Sequence, residues 1–140
     1  MDKVIVYENK KCEPIVFDVS TEEKREEAYK QLFEVVDEYG VFHFSTERQE
    51  EKLNRLQNPE IEYEDSVMIE TERNGYVEKI SKDEWRGRLQ HVRSQISFIQ
   101  ERQRMYEAAK EGDADAMRKL LGTMKGQPYV DYHELKIQNQ

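Results

Sequence analysis

SKDEWRGRLQHVRSQISFIQERQRMYEAAKE, residues 81–111, is the stretch on which the fold turns. Within it Trp85, Leu89, Val92, Ile96, Ile99, Gln103 and Tyr106 recur at alternating steps of four and three, an apolar seam with a heptad period. A helix over this span is roughly 46 Å long at about 1.5 Å per residue. A compact globule of this chain's size has a diameter of only about 37 Å. The helix therefore outruns one small domain, and its far end must protrude, bend or meet a partner. Ser81 and Glu84 have capping-box spacing at its start. Gly112-Asp113 breaks it.

On the N-terminal side of that helix, residues 61–80 read as a hairpin. Asn74-Gly75 is the favoured dipeptide of a two-residue turn. Pairing outward from it sets Tyr76 opposite Arg73 and Ile69 opposite Ile80, with Val67 on the same face. Thr46 to Leu56 is a short, highly charged helix with Thr46 and Gln49 as a cap pair. On the C-terminal side, Asp113 caps a short helix that buries Met117, Leu120 and Leu121 before Gly122. Tyr129 to Ile137 follows as a closing strand.

The first 44 residues hold three more strand-like runs and one amphipathic helix. Val4 to Tyr7 and Ile15 to Val19 flank a polar turn at Asn9-Lys10-Lys11. Ser20-Thr21-Glu22-Glu23 reads as a capping box with Ser20 at the N-cap. The helix behind it carries Ala28, Leu32, Val35, Val36 and Tyr39 on one stripe and stops at Gly40. Val41 to Phe44 reads as a strand, which would join Ile15 to Val19 through a parallel, right-handed crossover. The expected fold is α+β: a small mixed β-sheet with a covering helix, one long heptad-patterned helix, and a short C-terminal helix and strand. Residues 1–80 form an acidic α/β portion and 81–140 the long helix, short helix and closing strand, together one domain.

Charge divides at the same place. The chain carries 37% charged residues and a net charge of −8. Residues 1–80 hold 11 Lys and Arg against 21 Asp and Glu, whereas residues 81–140 hold 11 against 9. Two such portions are electrostatically different objects. The lone Cys12 excludes an intrachain disulfide and fits a reducing cytoplasm. No basic leader or apolar span long enough for a membrane is present, so the expected location is cytoplasmic.

Chemistry-bearing motifs are sparse. His43, His91 and His133 lie dozens of residues apart, outside any zinc-binding spacing, and the glycines form no phosphate loop. No nucleophile signature surrounds a serine or Cys12. We therefore expect no catalytic residues, no metal and no cofactor.

Three surfaces remain as candidates. The seam from Trp85 to Tyr106 suits a homodimer or another partner, and Gln103 within it suits an interface that specifies register. Arg86, Arg93 and Arg104 fall within about 20° on the helix wheel, and guanidinium forks suit an anion such as a nucleotide. Glu60, Glu62 and Glu64 read as one strand face followed by Asp65, an acidic docking edge for a basic protein or a mimic of nucleic acid. A +2 half is too weakly basic to bind nucleic acid itself. In size, acidity and lack of motifs the chain resembles the accessory proteins of bacteria and their phages, many of which bind and inhibit host factors. The expected function is a small acidic protein-interaction module, a homodimeric regulator or inhibitor of another macromolecule. The alternative is a binder of a small anionic ligand through the arginine stripe.

Overall fold

Alternation of apolar residues in Val4-Ile5-Val6-Tyr7 and Ile15-Val16-Phe17 builds the first sheet. In the computed structural model, which describes residues 2–71 and 75–138, strand β1 (Lys3–Glu8) pairs antiparallel with β2 (Pro14–Asp18). Asn9 closes the hairpin: its side-chain oxygen accepts the backbone N–H groups of Lys11 and Glu13. The other edge of β1 is taken by β6 (Tyr132–Lys136), also antiparallel, so the sheet order is β2-β1-β6. Ile5, Tyr7, Phe17 and Tyr132 share its inner face and are buried.

Helix α1 (Glu22–Asp37) covers that face with Ala28, Tyr29, Leu32, Phe33 and Val36. Its N-cap is Thr21 rather than Ser20. Thr21 is extended and accepts the N–H of Lys24 at 3.2 Å, whereas the Ser20 hydroxyl donates to Asp18 at 2.6 Å. Gly40 follows the helix at φ +64°, as expected of a stop.

Val41 to Phe44 is not a strand, and no parallel crossover forms. Phe42 instead packs its ring on Phe33 at 5.3 Å and on Tyr106 at 5.5 Å. That run is apolar because it fills a core, and with β2 and β6 on β1 the sheet is antiparallel throughout. The α+β class stands, with two antiparallel sheets in place of one mixed sheet.

The second sheet comprises β3 (Ile61–Glu62), β4 (Ser66–Glu70) and β5 (Val77–Ser81) in that order. Its register differs from the expected one. Val67 lies opposite Ile80 and Ile69 opposite Glu78, with the Thr71 N–H donating to Tyr76 O. The pairing is displaced by two residues relative to a turn centred on Asn74-Gly75. Arg73 and Asn74 lie outside the described residues. Because side chains alternate with period two, a two-residue displacement leaves Val67, Ile69 and Ile80 on one face. The hydrophobic pattern was satisfied by either register; what changed is the neighbour of each residue.

Helix α2 (Glu47–Gln57) precedes this sheet and α3 (Lys82–Lys110) follows it. Thr46 holds the N-cap position of α2 without a side-chain cap bond. The Ser81 hydroxyl accepts the Glu84 N–H at 3.1 Å and starts α3. At the other end Gly112 adopts φ +99°, and the N–H groups of Gly112 and Asp113 return to Ala109 O and Ala108 O. This is a Schellman ending. Asp113 then caps α4 (Ala114–Thr123) by accepting from Asp115 and Ala116, and α4 runs through Gly122.

The chain divides into two compact units: residues 1–43 with 102–140, and residues 44–101. Helix α3 contributes to both, which is why it exceeds the length one small unit needs. The first unit's fully buried side chains include Ile5, Tyr7, Leu32, Val36, Met117, Leu120, Leu121 and Val130. The charge boundary at residue 80 falls inside the second unit. By units, residues 44–101 carry 13 Asp and Glu against 9 Lys and Arg, and the remainder 17 against 13.

Two measurements probe this construction. Asp113→Ala removes the cap of α4 and should lower stability by about 1 kcal/mol in urea unfolding. The Asp18 carboxyl is held down to about 2, chiefly by the Ser20 hydroxyl, then by its N–H and by Lys24. A depressed carboxyl contributes stability above its ordinary value and loses it as pH falls through its folded value. Asp18→Asn should therefore flatten the acid limb of stability between about pH 4 and about pH 2.

Candidate functional site

An apolar concavity of the second unit is made where α2, the sheet and the first half of α3 meet. Leu53 and Leu56 stand three apart on α2 and turn one stripe toward Val67, Ile69 and Ile80. Trp85, Leu89, Val92 and Ile96 of α3 complete that cluster. The Trp85 indole N–H donates to the Leu56 carbonyl at 2.6 Å. Leu56 lies in the last turn of α2, where carbonyls have no partner within the helix, so the indole satisfies one of them. Beside this junction opens a cavity of about 610 Å³, within the range of ligand sites. Its floor is Leu56, Ile69 and Val92, and its charged rim includes Lys52, Arg55, Glu78, Glu84, Arg88 and His91.

One side of the rim is locked. The register of β5 puts Glu78 opposite Ile69 on the core face, and Arg88 reaches it with both terminal nitrogens at 3.2 Å. Arg88 also donates to Glu84 at 2.8 Å. Its hydrogen bond to the guanidinium holds the Glu78 carboxyl below the usual carboxylate range, and the same bond raises Arg88. The three groups thus balance much of one another's charge. On the α2 side Arg55 is half-buried and has no hydrogen bond or ion pair among the described residues. The cleft combines an apolar floor with two groups, the Arg55 guanidinium and the Glu70 carboxylate, that make no hydrogen bond or ion pair among the described residues.

Gly87 is part of the wall. Within a helix interior glycine costs roughly 0.5–1 kcal/mol relative to alanine. A methyl group there would meet no atom of the surrounding fold within 4 Å. The chain's own packing therefore gives no reason for the missing side chain.

The seam residues fall in two places. Val92 is buried and Trp85, Leu89, Ile96, Ile99, Gln103 and Tyr106 are half-buried. The part from Trp85 to Ile96 packs in the second unit's own core. Tyr106, on the other stretch of α3, packs against Phe33 at 5.8 Å and donates to Asp37 at 2.8 Å. Much of the seam thus meets its own chain.

The arginine stripe is not brought together. Arg86 and Arg104 are 18 positions apart, about 27 Å along a helix, too far to share one small ligand. Arg86 pairs with Asp83 at 2.9 Å, and Arg93 lines a shallow depression with Gln90, Ser97 and Phe98. The acidic edge is also broken up. Only Ile61–Glu62 is strand, and Glu64 and Asp65 lie in the turn before β4, so Glu60, Glu62 and Glu64 do not continue along one strand face. Glu62 is paired with Lys82 at 3.3 Å. Among the described residues no three metal-ligating side chains converge, and no helix is long and apolar enough to cross a membrane.

The cleft was not found from the sequence, although two of its signals are local. Leu53 and Leu56 mark the apolar stripe of α2, and Glu84 and Arg88 are an i, i+4 pair. Joining them to Glu78 requires the strand register. No protein-family model matches the chain, and no curated protein or solved structure matches it either.

The Gly87 wall yields a direct test. Gly87→Ala should raise unfolding stability by roughly 0.5–1 kcal/mol in urea titrations followed by circular dichroism. A loss of stability would mean that the glycine serves the fold.

Proposed function

We propose that this chain is a small acidic interaction module that regulates or inhibits another protein, and that the cleft of the second unit is its docking surface. The observation that supports the reading is the cleft itself: an apolar floor of Leu56, Ile69 and Val92 beside Arg55. The fitting occupant is an amphipathic segment of the partner, placing apolar side chains on that floor and an acidic one on Arg55. Charge complementarity favours this choice. Glu78 and Glu84 are already engaged by Arg88, whereas Arg55 on α2 and Glu70 on β4 are left to be matched, so the segment fits best with an acidic side chain toward α2 and a basic one toward β4. Helix-in-groove recognition uses such a combination of anchors and rim charges. The open wall at Gly87 lets a partner's backbone approach α3 closely.

Binding by this route does not require a dimer. The sequence expectation of a homodimer through the seam concerns a surface that the chain's own cores already use in part. Self-association is therefore an outcome to be measured beside partner capture.

The experiment compares affinity capture from native lysate with light scattering on the purified chain, using the same variants in both. Gly87→Leu fills the cleft from a wall with open space and keeps a good helix former in α3. Arg55→Glu reverses the uncommitted charge. A partner retained by wild type should be lost with Gly87→Leu and weakened at least tenfold by Arg55→Glu. Capture indifferent to both changes would sink the proposal. Capture lost with Ile99→Asp and indifferent to the cleft variants would move the docking role to the seam.

A further inference from the structure

The first unit holds a second concavity, of about 350 Å³, lined by residues at the ends of β1 and β6 and the start of α1. Two of its lining residues are Lys3 and Lys136, which are direct cross-strand partners. The Ile137 N–H donates to Asp2 O and the Val19 N–H to Lys3 O. Lys3 therefore turns its backbone groups toward β2, and Lys3–Lys136 is a non-hydrogen-bonded pair. In such pairs the Cα atoms are only about 4.5 Å apart and the side chains lie closest. Both lysines share the inner face with Ile5 and Tyr7, since they are in phase with them along the strands.

Like charges placed directly opposite each other destabilise a sheet. Neither lysine has a hydrogen bond or ion pair among the described residues. The acids of the same cavity are otherwise engaged. Glu134 takes Arg25 at 3.2 Å and the Tyr29 hydroxyl, and Glu22 takes Arg118 at 3.3 Å. Arg25, also in the lining, keeps a buried Nε without an acceptor. Both lysines are exposed, and in a chain of net charge −8 two facing ammonium groups with no acid partner among the described residues make a local concentration of positive charge at one cavity. A bound dianion would neutralise it.

We propose that this cavity is a site for a phosphate-class dianion, either free phosphate or the phosphoryl group of a small monoester, held between Lys3 and Lys136. The cavity is near the lower end of the range for ligand pockets, about 300–1,000 Å³, which suits a ligand of that size. Lysine acts here as a point charge on the oxyanion. The first turn of α1 adds a favourable dipole, while Glu22 and Glu134 set an upper limit on the charge the site tolerates. The site lies in the other unit and is independent of the docking cleft.

The test is calorimetric titration and thermal melting at constant ionic strength, with inorganic phosphate and with glycerol phosphate as probes. Wild type should bind one equivalent saturably and melt higher as the probe is added. The double variant Lys3→Gln/Lys136→Gln should lose at least tenfold in affinity and show no ligand-induced rise. Without a probe it should melt no lower than wild type, because the repulsion is gone, which also shows that it folds. Lys136→Arg preserves the charge and should retain binding. Equal affinity for the two probes assigns the site to the free ion, and tighter binding of glycerol phosphate assigns it to a monoester. Absence of saturable binding to wild type, or a double variant that responds as wild type does, overturns the site.

Discussion

The apolar stripe of α3 is the constraint from which the rest follows. A three-stranded antiparallel sheet needs a cover for its apolar face, and here there are two such sheets. Trp85, Leu89, Val92 and Ile96 of α3 serve the second unit, while Tyr106 and Ala109 are packed in the first. One helix with one hydrophobic phase thus supplies residues to two cores. Both of these stretches are used within the chain. The heptad period that makes the stripe resemble a coiled-coil seam is also the period of any helix laid along a core.

Legibility in the sequence followed the range of the interaction. Many signals confined to four or five residues were readable, although the cap of α1 is Thr21 rather than Ser20, Thr46 makes no side-chain cap bond and α4 runs through Gly122. Ser81 starts α3, Gly112 and Asp113 end it and begin α4, and Ala28, Leu32 and Val36 face inward on α1. Signals that depend on which strand lies beside which were not. Val41 to Phe44 has strand composition, yet the ring of Phe42 is used against Phe33 and Tyr106. The partner of β1 on its second edge is β6, more than 120 residues later, and nothing local encodes that pairing. Residue pattern proposes what can be buried; chain topology decides where.

The same distinction explains why the cleft escaped sequence reading. Its helical walls carry visible local pairs, but Glu78 joins them only through the register of β4 and β5. In the expected register Ile80, not Glu78, would have stood opposite Ile69. The two-residue displacement kept every apolar side chain on its face and brought a carboxylate to the rim, where Arg88 closes on it. Hydrophobic patterning cannot distinguish those registers, since they bury the same residues. The chemistry of the rim is therefore a consequence of strand register rather than of hydrophobicity. The arginine stripe shows the converse: residues aligned on a helix wheel are spread over some 27 Å once rise along the axis is counted.

Electrostatics must likewise be counted by folded unit. Division at residue 80 suggests a strongly acidic half beside a mildly basic one, yet β5 and the first part of α3 lie on opposite sides of that boundary and belong to one unit. Counted by unit, the excess of acids over bases is the same in both. Opposite net charge is thus not what distinguishes the two folded units. What distinguishes the units is local: Arg55 makes no ion pair among the described residues at the apolar cleft of one, and Lys3 faces Lys136 across the sheet of the other. With acids in excess throughout, neither arrangement follows from a shortage of carboxylates.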